Sequence, residues 1–512
     1  MHAARRGAPR PMAHWQRWEE LDPATPAAPG WESRPAPAIY AVAGAHPLAD
    51  AAASLALHRQ TETVEAAFAA IEPVLTRLAP LHFDRDYPEQ ARNALRGIGL
   101  DFPPEAFGAH IMAPMDMRFL HARCVIGTFC RLIGENFDRG AAERMDGESA
   151  ATVIARWGFH AIDITPCADG RLAGVLDYIL RIPPSVVAFR KSYAGALFNV
   201  TESLRHWETV ELRRWREAQP NAASAPTRFL KIGVYHFSSV DPGHEGCAAH
   251  GSDTARAAGA LLERLQDFAY AVRNVHGAAA NAAILLVGVD TDTDAIRVHV
   301  PDATGAMRID RFADSLSLYE QTRHLSRDAA KEAIRDAVAA CAGVSSGDTA
   351  TEGMRWFCGY LLKNNIAQVD AVRTQQGGRY KEAGHTERLI VVGDAVDEVQ
   401  MRNLGFQAQM ETVEEGGTDL DTGIAIFRKV HDRQGLAVPV LVHFRYDPRL
   451  PRAAERAAFK ARRLMAAIIA RHAALASRKK LFVQAVLREA GGRGMTILDP
   501  APEALAMLES QP

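Results

Sequence analysis

The stretch Arg228-Phe-Leu-Lys-Ile-Gly-Val-Tyr-His-Phe237 is an apolar, partly β-branched run that predicts a buried strand. Downstream, Ser252 offers an N-cap for a long helix from Thr254 to about Val275. A second strand, Ile284–Val289, follows that helix. Strand, helix and strand in this order are typical of an α/β fold with a mainly parallel or mixed sheet.

The chain before this unit has a different pattern. Apolar residues recur at spacings of three and four, which predicts one face of a helix, at Val64, Phe68, Ile71, Leu75 and Leu78. Met117 to Phe137 is a second helix candidate. The first short strand, Phe159–Thr165, ends at Pro166-Cys167. We therefore expect a helical N-terminal domain over 38–145 and an α/β domain over 146–385, in which Ile296–Val300 is a further strand.

Residues 386–512 repeat the order of the preceding domain. Leu389–Val392 is a strand that stops at Gly393-Asp394, as the earlier strand stops at Cys167. His443-Phe444 ends another strand and is followed by Asp447-Pro448, an echo of His236-Phe237 and Asp241-Pro242. A long helix, Ala453–Arg478, and a strand, Leu481–Val486, complete the order. This pattern predicts an internal duplication.

Composition excludes several classes of protein. The 512 residues are 48% hydrophobic and 23% charged, which is typical of a globular chain of several domains. A formal net charge of −2 argues against nucleic acid or an anionic membrane as the main partner. The longest apolar run, Ala282 to Val289, is far shorter than the roughly 20 residues of a membrane-spanning helix. The N-terminus lacks the apolar region of a signal peptide, so we expect an intracellular protein.

Residues 1–37 form a Pro- and Arg-rich tail. They contain seven Pro, eight Ala and five Arg, a composition that cannot bury enough surface to offset the entropy of ordering. Three of the seven tryptophans, Trp15, Trp18 and Trp31, nevertheless lie here. Trp and Arg dominate binding hot spots, so the tail is either an unstructured extension or a docking peptide.

Two thiols and one imidazole carry the candidate chemistry. Cys167 and His236 both lie at the carboxyl ends of predicted strands, where ligands bind in open α/β sheets. Cys247 follows in the loop that starts at Asp241. Two thiolates and one imidazole form a donor set that suits Zn²⁺ and leave a fourth position open to water. Taken singly, each of these residues has an ordinary core or loop explanation.

The motif Cys167-Ala-Asp169-Gly-Arg171 favours the metal hypothesis. Asp169 can accept a hydrogen bond from a water held at the metal, and Arg171 can keep that carboxylate ionised and oriented. Cys-x-Asp-x-Arg with a distant His and Cys resembles the site of β-type carbonic anhydrases. The ordinary β pattern has a short His-to-Cys spacing, whereas Cys247 follows His236 by 11 positions here.

The longer arrangement resembles the carboxysomal, shell-associated carbonic anhydrases, once called the epsilon class. The resemblance covers nearly the whole chain: tail, helical domain, metal-bearing half and degenerate second half. It implies Cys167, His236 and Cys247 as ligands of one Zn²⁺ per chain and Asp169 with Arg171 as the catalytic dyad. It also implies interconversion of CO₂ and bicarbonate beside Rubisco in a carboxysome, and a homodimer or higher oligomer of a duplicated unit whose second copy has no metal. The tail would then dock to Rubisco or shell proteins.

Other polar residues leave alternatives open. His244 or His250 could supply a fourth ligand and close the site, and Asp169 could itself ligate the metal. His385 either lines the pocket and moves protons or is an ordinary loop histidine. Ser238 and Ser239 are expected in a turn, and buried thiols are expected at Cys124, Cys130, Cys341 and Cys358.

Two rival functions remain at this level. A cysteine hydrolase would use Cys167 as nucleophile and His236 as base, but it would require neither Cys247 nor the Asp-Arg pair. A shell scaffold with a purely structural zinc would require no open coordination position. The prediction is therefore an α/β (α+β) chain in which an N-terminal helical domain precedes a duplicated, β-carbonic-anhydrase-like mixed-sheet unit with a degenerate second copy.

Overall fold

Two β-sheets carry the described part of the chain, one in each half of the sequence. We call 146–385 the first half and 386–512 the second half. The computed structural model describes residues 45–81, 84–102, 116–136, 150–219, 221–222, 224–344, 352–381, 384–396, 399–431 and 435–498. The tail over 1–37, with its three tryptophans, lies outside these residues.

The first sheet has six strands. They are β1 (Ala161–Pro166), β2 (Phe189–Arg190), β3 (Phe229–Phe237), β4 (Ala282–Asp290), β5 (Ile296–His299) and β6 (Ala313–Asp314). Their order is β2-β1-β3-β4-β5-β6. The first four are parallel, and β5 and β6 are antiparallel additions. Every residue of β3 is buried, as expected for a central parallel strand.

The second sheet has five strands. They are β7 (Leu389–Gly393), β8 (Gly405–Ala408), β9 (Val438–Tyr446), β10 (Leu481–Glu489) and β11 (Met495–Leu498). Their order is β8-β7-β9-β10-β11, with β11 antiparallel and the others parallel. This is the order and direction of β2-β1-β3-β4-β5. The correspondence supports the predicted duplication and confirms the α/β class.

Helices surround both sheets. Before the first sheet come α1 (Ala51–Ala69), α2 (Ile71–Leu78), α3 (Tyr87–Arg96), α4 (Met117–Asn136) and α5 (Ala150–Arg156). The first half adds α6 (Val200–Arg216), α7 (Thr254–His276), α8 (Ser315–Thr322), α9 (Arg327–Ala342) and α10 (Glu352–Gln376). The second half adds α11 (Val413–His431), α12 (Ala453–Arg471) and α13 (Ala473–Ala476). None of the helices within the described ranges has the length and apolar character needed to cross a membrane.

The N-terminal helices pack against the second sheet. One continuous core joins Phe68, Leu75 and Phe129 from the helices to Leu441 and Val486 from that sheet. The opposite face of the second sheet is covered by α11 and α12. The helical segment therefore covers the sheet of the second half, although the first half follows it directly in sequence.

Three predicted helix boundaries were wrong. The N-cap of α7 is Asp253, whose carboxylate accepts a hydrogen bond from Arg256 N at 2.9 Å. Ser252 precedes the cap in the left-handed region, with φ +64°. The apolar face expected of one helix is divided between α1 and α2, which meet at Ala70. The long C-terminal helix is likewise divided at His472.

Candidate metal centre

The carboxyl ends of β1 and β3 place Cys167 beside His236, as the sequence predicts. Cys247 reaches them from the loop between β3 and α7. One ligand atom from each of the three residues lies within 4.8 Å of the others, and the two Sγ atoms are 4.0 Å apart. All three residues are buried, so water does not compete freely for these donors.

The donor geometry fits a zinc ion. Two thiolates bound to one tetrahedral zinc at about 2.3 Å stand roughly 3.8 Å apart, close to the observed Sγ–Sγ distance. Neither ring nitrogen of His236 has a hydrogen-bond partner among the described residues, although the side chain is only 1% exposed. His236 Nε2 does lie 3.3 Å from Asp169 Oδ2, so the indication of a cation site comes from the closeness of this buried imidazole to two buried thiols.

The protonation of the two thiols favours a metal over a nucleophile. The hydrogen bond shared with Cys247, together with burial, raises the pKa of Cys167 well above its usual range. The same hydrogen bond lowers the pKa of Cys247. Zinc binds cysteine as the thiolate, so a metal at this site would displace the thiol protons. A raised pKa makes Cys167 less readily the thiolate nucleophile that a cysteine hydrolase needs.

Aspartates at the end of β4 hold the loop that carries Cys247. Asp292 Oδ2 accepts hydrogen bonds from Ser238 Oγ at 2.7 Å and Val240 N at 2.9 Å. Asp290 accepts from Ser239 N at 3.1 Å and Ser239 Oγ at 2.7 Å. The two serines therefore lie where the chain leaves β3, in the region where a turn was expected. Sequence reasoning missed these aspartates, although the alternating carboxylates of Asp290-Thr-Asp-Thr-Asp294 follow a buried strand beside β3.

Arg171 donates hydrogen bonds to Asp169 from two of its side-chain nitrogens. Nε donates to Oδ1 at 2.9 Å and Nη2 donates to Oδ2 at 2.8 Å, and both side chains are buried. Burial opposes the charge of Asp169, but Arg171, His236 and His385 outweigh it and hold the pKa of this carboxyl well below its usual range. Asp169 Oδ2 lies 3.3 Å from His236 Nε2. An ionised carboxylate thus borders the donor set, with its orientation fixed from the far side.

His385 and Glu387 complete this polar cluster. His385 Nε2 lies 3.7 Å from Asp169 Oδ2, and His385 Nδ1 lies 2.8 Å from Glu387 Oε1. Burial lowers the pKa of His385, but the carboxylates of Asp169 and Glu387 more than compensate, so the pKa is raised. The structure therefore brings His385 to the predicted site. Glu387 was missed, although an acidic residue two positions after a candidate proton carrier is a signal that could have found it.

The two alternative histidines lie apart from the ligand group. His244 has a side chain that is 85% exposed, and its Nδ1 pairs with Asp241 Oδ1 at 2.9 Å. His250 Nε2 points towards the Gly195 carbonyl oxygen at 3.5 Å. Neither contributes an atom to the Cys-His-Cys group. Cys124, Cys341 and Cys358 are buried and Cys130 is half-buried, all of them on helices outside the site.

The corresponding place in the second sheet keeps a histidine but has no thiol. His443 occupies the position of His236 and pairs in register with Gly393, whereas the β1–β3 register extended by two residues sets Ala168 opposite His236. The residue that corresponds to Cys167 is therefore Val392, one position before the Gly393-Asp394 suggested by the sequence pattern. His443 Nδ1 contacts the Asp394 carbonyl oxygen at 3.0 Å, and the sequence has no cysteine after Cys358.

Comparison with protein-family models covers most of the chain. Residues 46–137 match the N-terminal model of the family described as Carboxysome Shell Carbonic Anhydrase. Residues 149–385 match its catalytic-domain model, and residues 386–498 match its C-terminal model. The match to the catalytic domain contains all three candidate ligands together with Asp169, Arg171 and His385.

Curated proteins show the same relationship over long alignments. A carboxysome shell carbonic anhydrase of Halothiobacillus neapolitanus (strain ATCC 23641 / c2) is 43% identical over 437 residues, 84% of this chain and 85% of that protein. One from Prochlorococcus marinus (strain MIT 9313) is 41% identical over 84% of each chain. One from Parasynechococcus marenigrum (strain WH8102) is 40% identical over 90% of this chain and 80% of that protein.

Proposed function

Because the chain belongs to the carboxysome shell carbonic anhydrase family, we propose that it interconverts CO₂ and bicarbonate with one zinc ion held by Cys167, His236 and Cys247. One observation carries the proposal. A buried imidazole and two buried thiols bring their ligand atoms within 4.8 Å of one another, in a spacing that suits a tetrahedral zinc. The predicted enzyme class and carboxysomal setting are those of the family's description.

Zinc in such a site lowers the pKa of a bound water to roughly 7, so that a strong nucleophile exists at neutral pH. With these three residues as ligands, a tetrahedral zinc would have a fourth position for water, because neither His244 nor His250 belongs to the group. This arrangement supports a catalytic role over the structural zinc of a scaffold protein, in which four protein ligands close the site.

Asp169 orients the reacting water in this proposal. An ionised carboxylate can only accept hydrogen bonds, so Oδ2 accepts one from the water and turns an oxygen lone pair towards CO₂. Arg171 would keep that carboxylate ionised and fix its orientation, because it donates hydrogen bonds to both carboxylate oxygens. Arg171 is itself fixed by the Glu245 carbonyl oxygen, which accepts from Nη1 at 2.8 Å.

His385 moves the proton that each hydration releases. Its Nε2 faces Asp169 Oδ2 and its side chain is 18% exposed, so it connects the buried dyad with solvent. The carboxylates around it raise the pKa of His385 above the ordinary histidine value. A histidine can serve as a proton carrier because its ordinary pKa is near neutral pH.

We extend the proposal to domains and partners. Residues 38–145 form the helical domain, 146–385 the zinc-binding catalytic domain and 386–512 a degenerate repeat without metal, which agrees with the family-model ranges. The chain works as a homodimer or higher oligomer in the carboxysome, where it supplies CO₂ to Rubisco. The Trp- and Arg-containing tail over 1–37 docks to Rubisco or to shell proteins.

Metal analysis combined with a CO₂ hydration assay tests this function. The purified full chain is measured as isolated, after removal of metal with a chelator, and after addition of zinc. We expect zinc in the isolated protein, loss of hydration on chelation and recovery with zinc. Hydration that is unaffected by complete metal removal would overturn the proposal, as would a zinc-containing protein that hydrates no CO₂.

A further inference from the structure

We infer that Glu387, contributed by the second half, is a positioning residue for proton transfer, because it fixes the His385 ring with Nε2 facing Asp169. The inference rests on the proposed function. It gives the metal-free repeat a direct part in the reaction of the other half.

The tautomer of His385 follows from the hydrogen bonds of Glu387. Glu387 Oε1 accepts from the Gly170 backbone N–H at 3.1 Å and lies 2.8 Å from His385 Nδ1. An ionised carboxylate can only accept, so Nδ1 must carry a hydrogen. The exchangeable position of the ring is then Nε2, which lies 3.7 Å from Asp169 Oδ2. Fixing the tautomer of a histidine through its other nitrogen is a general way of directing it.

Glu387 has no room to swing away. Its side chain is 1% exposed, and a Cβ added at Gly170 would stand 2.2 Å from Glu387 Cγ. Only glycine therefore fits between Asp169 and Arg171 while Glu387 keeps its place. The contact therefore requires two things together: no side chain at position 170 and a carboxylate at position 387.

The second half also holds the carbonyl side of the same peptide. Asn403 N donates to Gly170 O at 2.8 Å, and Asn403 Nδ2 donates to Thr386 Oγ1 at 2.9 Å. Asn403 therefore joins the segment that carries Glu387 to the loop that carries the dyad. The second half binds both the N–H and the carbonyl oxygen of Gly170. These hydrogen bonds fix the position of His385 relative to Asp169.

The charges that face His385 favour a proton carrier. Asp169 and Glu387 each contribute a carboxylate and Arg171 contributes a nearby positive charge, and their balance raises the pKa of the ring. A glutamine at position 387 keeps the size of the side chain and removes one negative charge. We therefore expect Glu387→Gln to lower the pKa of His385 and loosen its orientation, without altering the Cys-His-Cys set.

Steady-state kinetics of the zinc-loaded Glu387→Gln enzyme provide the test. Proton release follows departure of the product, so its impairment lowers kcat and leaves kcat/KM for CO₂ nearly unchanged. We expect kcat to fall roughly 10-fold, the scale of losing a partner that orients a functional histidine, with zinc content retained. Exogenous imidazole should restore most of kcat. Glu411→Gln, an exposed glutamate of the second half, is the matched control and should behave as wild type.

A double-mutant comparison separates positioning from a structural role. In a His385→Ala background, Glu387→Gln should lower kcat no further, because the group it positions is gone. An equal additional loss in that background would overturn the inference, as would unchanged kcat in Glu387→Gln or a fall in kcat/KM that imidazole does not rescue. If the wild-type enzyme itself lacks zinc or CO₂ hydration, the proposed function fails; if only these variant effects are missing, this inference alone fails.

Discussion

The two halves of the chain share one strand order but differ in chemistry. In the first half, the loop from β3 to α7 covers residues 238–253 and carries Cys247. In the second half, the corresponding connection from β9 to α12 covers only residues 447–452 and has no donor of this kind. The sheet framework therefore does not determine the metal site. The site depends on the loops at the carboxyl ends of the strands, which can change while the framework remains.

The second half still contributes to the first. Gln407 N donates to the Ala168 carbonyl oxygen at 3.2 Å, so β8 of the second sheet borders the Cys167–Arg171 loop. Ser192 N donates to Gln409 Oε1 in the same region. Ala168 itself belongs to the hydrophobic core of the second half. The second half thus forms part of the wall around the Cys-His-Cys group of the first half.

Replacing a zinc ligand should produce the largest loss of zinc and of hydration, and it should do so only in the first half. Cys247→Ser removes one thiolate, so we expect loss of the metal and of hydration, well beyond the roughly 10–100-fold cost of losing a contact outside the ligand set. Cys341→Ser on α9 is the matched control and should keep both. Full zinc content in Cys247→Ser, measured by elemental analysis, would place the site elsewhere.

A smaller but still large effect is expected at Asp169. Asp169→Asn keeps the shape of the side chain but can present a donor to the reacting oxygen, so hydration should fall roughly 10²-fold while zinc is retained. Asp394→Asn, at the end of β7 in the second half, should change hydration little. Initial rates and zinc content of both variants provide the measurement. Near-normal rates in Asp169→Asn would mean that the dyad is only structural.

The pH dependence of Arg171 variants sharpens the same point. Arg171 is the largest of the influences that lower the pKa of Asp169, and Asp169 must be ionised to accept a hydrogen bond. Arg171→Ala therefore raises the pKa of Asp169, and the acidic limb of the activity profile should move to higher pH. Arg171→Lys keeps a positive charge and should shift the limb less. An acidic limb at the same pH in wild type and Arg171→Ala would contradict this role.

Removing the tail should have the smallest effect on the chemistry. Residues 1–37 belong to neither half, so deleting them should leave hydration per zinc unchanged and weaken recruitment to Rubisco or to shell protein. A chain in which Trp15, Trp18 and Trp31 are replaced by alanine should show the same loss if these anchors carry the docking. Co-assembly of the truncated enzyme at the wild-type level would rule out the docking role.

The sequence predicted those parts of the fold that depend on local pattern. The strands that end near Cys167, His236 and His443 lie where apolar runs placed them, because a buried parallel strand is continuously apolar. Boundaries failed where two neighbours were equally suitable: Ser252 and Asp253 can both cap a helix, and backbone geometry selects Asp253. The packing of the N-terminal helices on the second sheet has no local signal.

The site was predictable to the extent that its residues follow strand ends. The structure places Cys167, His236, Cys247, Asp169 and Arg171 together, as the strand ends and Cys-x-Asp-x-Arg predict, and their roles as ligands and dyad stay predictions. The only local signal for Glu387 is its place two positions after His385, because its contact with Gly170 joins residues 217 positions apart. The hydrogen bonds by which Asp290 and Asp292 hold the loop that carries Cys247 are distant contacts of the same kind. Strand register also moved the position equivalent to Cys167 by one residue. A sequence pattern alone does not define the alignment of two strands to the exact residue.

Zinc stoichiometry in a matched pair of histidine variants tests the contrast between the halves most directly. Elemental analysis of wild type, His236→Asn and His443→Asn should give about one zinc per chain, almost none, and about one, because only His236 has two thiolates beside it. His443→Asn changes the corresponding residue of the second sheet, so it controls for the loss of a buried imidazole. Two tightly bound zinc ions per wild-type chain, or zinc retained in His236→Asn and lost in His443→Asn, would contradict the assignment of a single metal site to the first half.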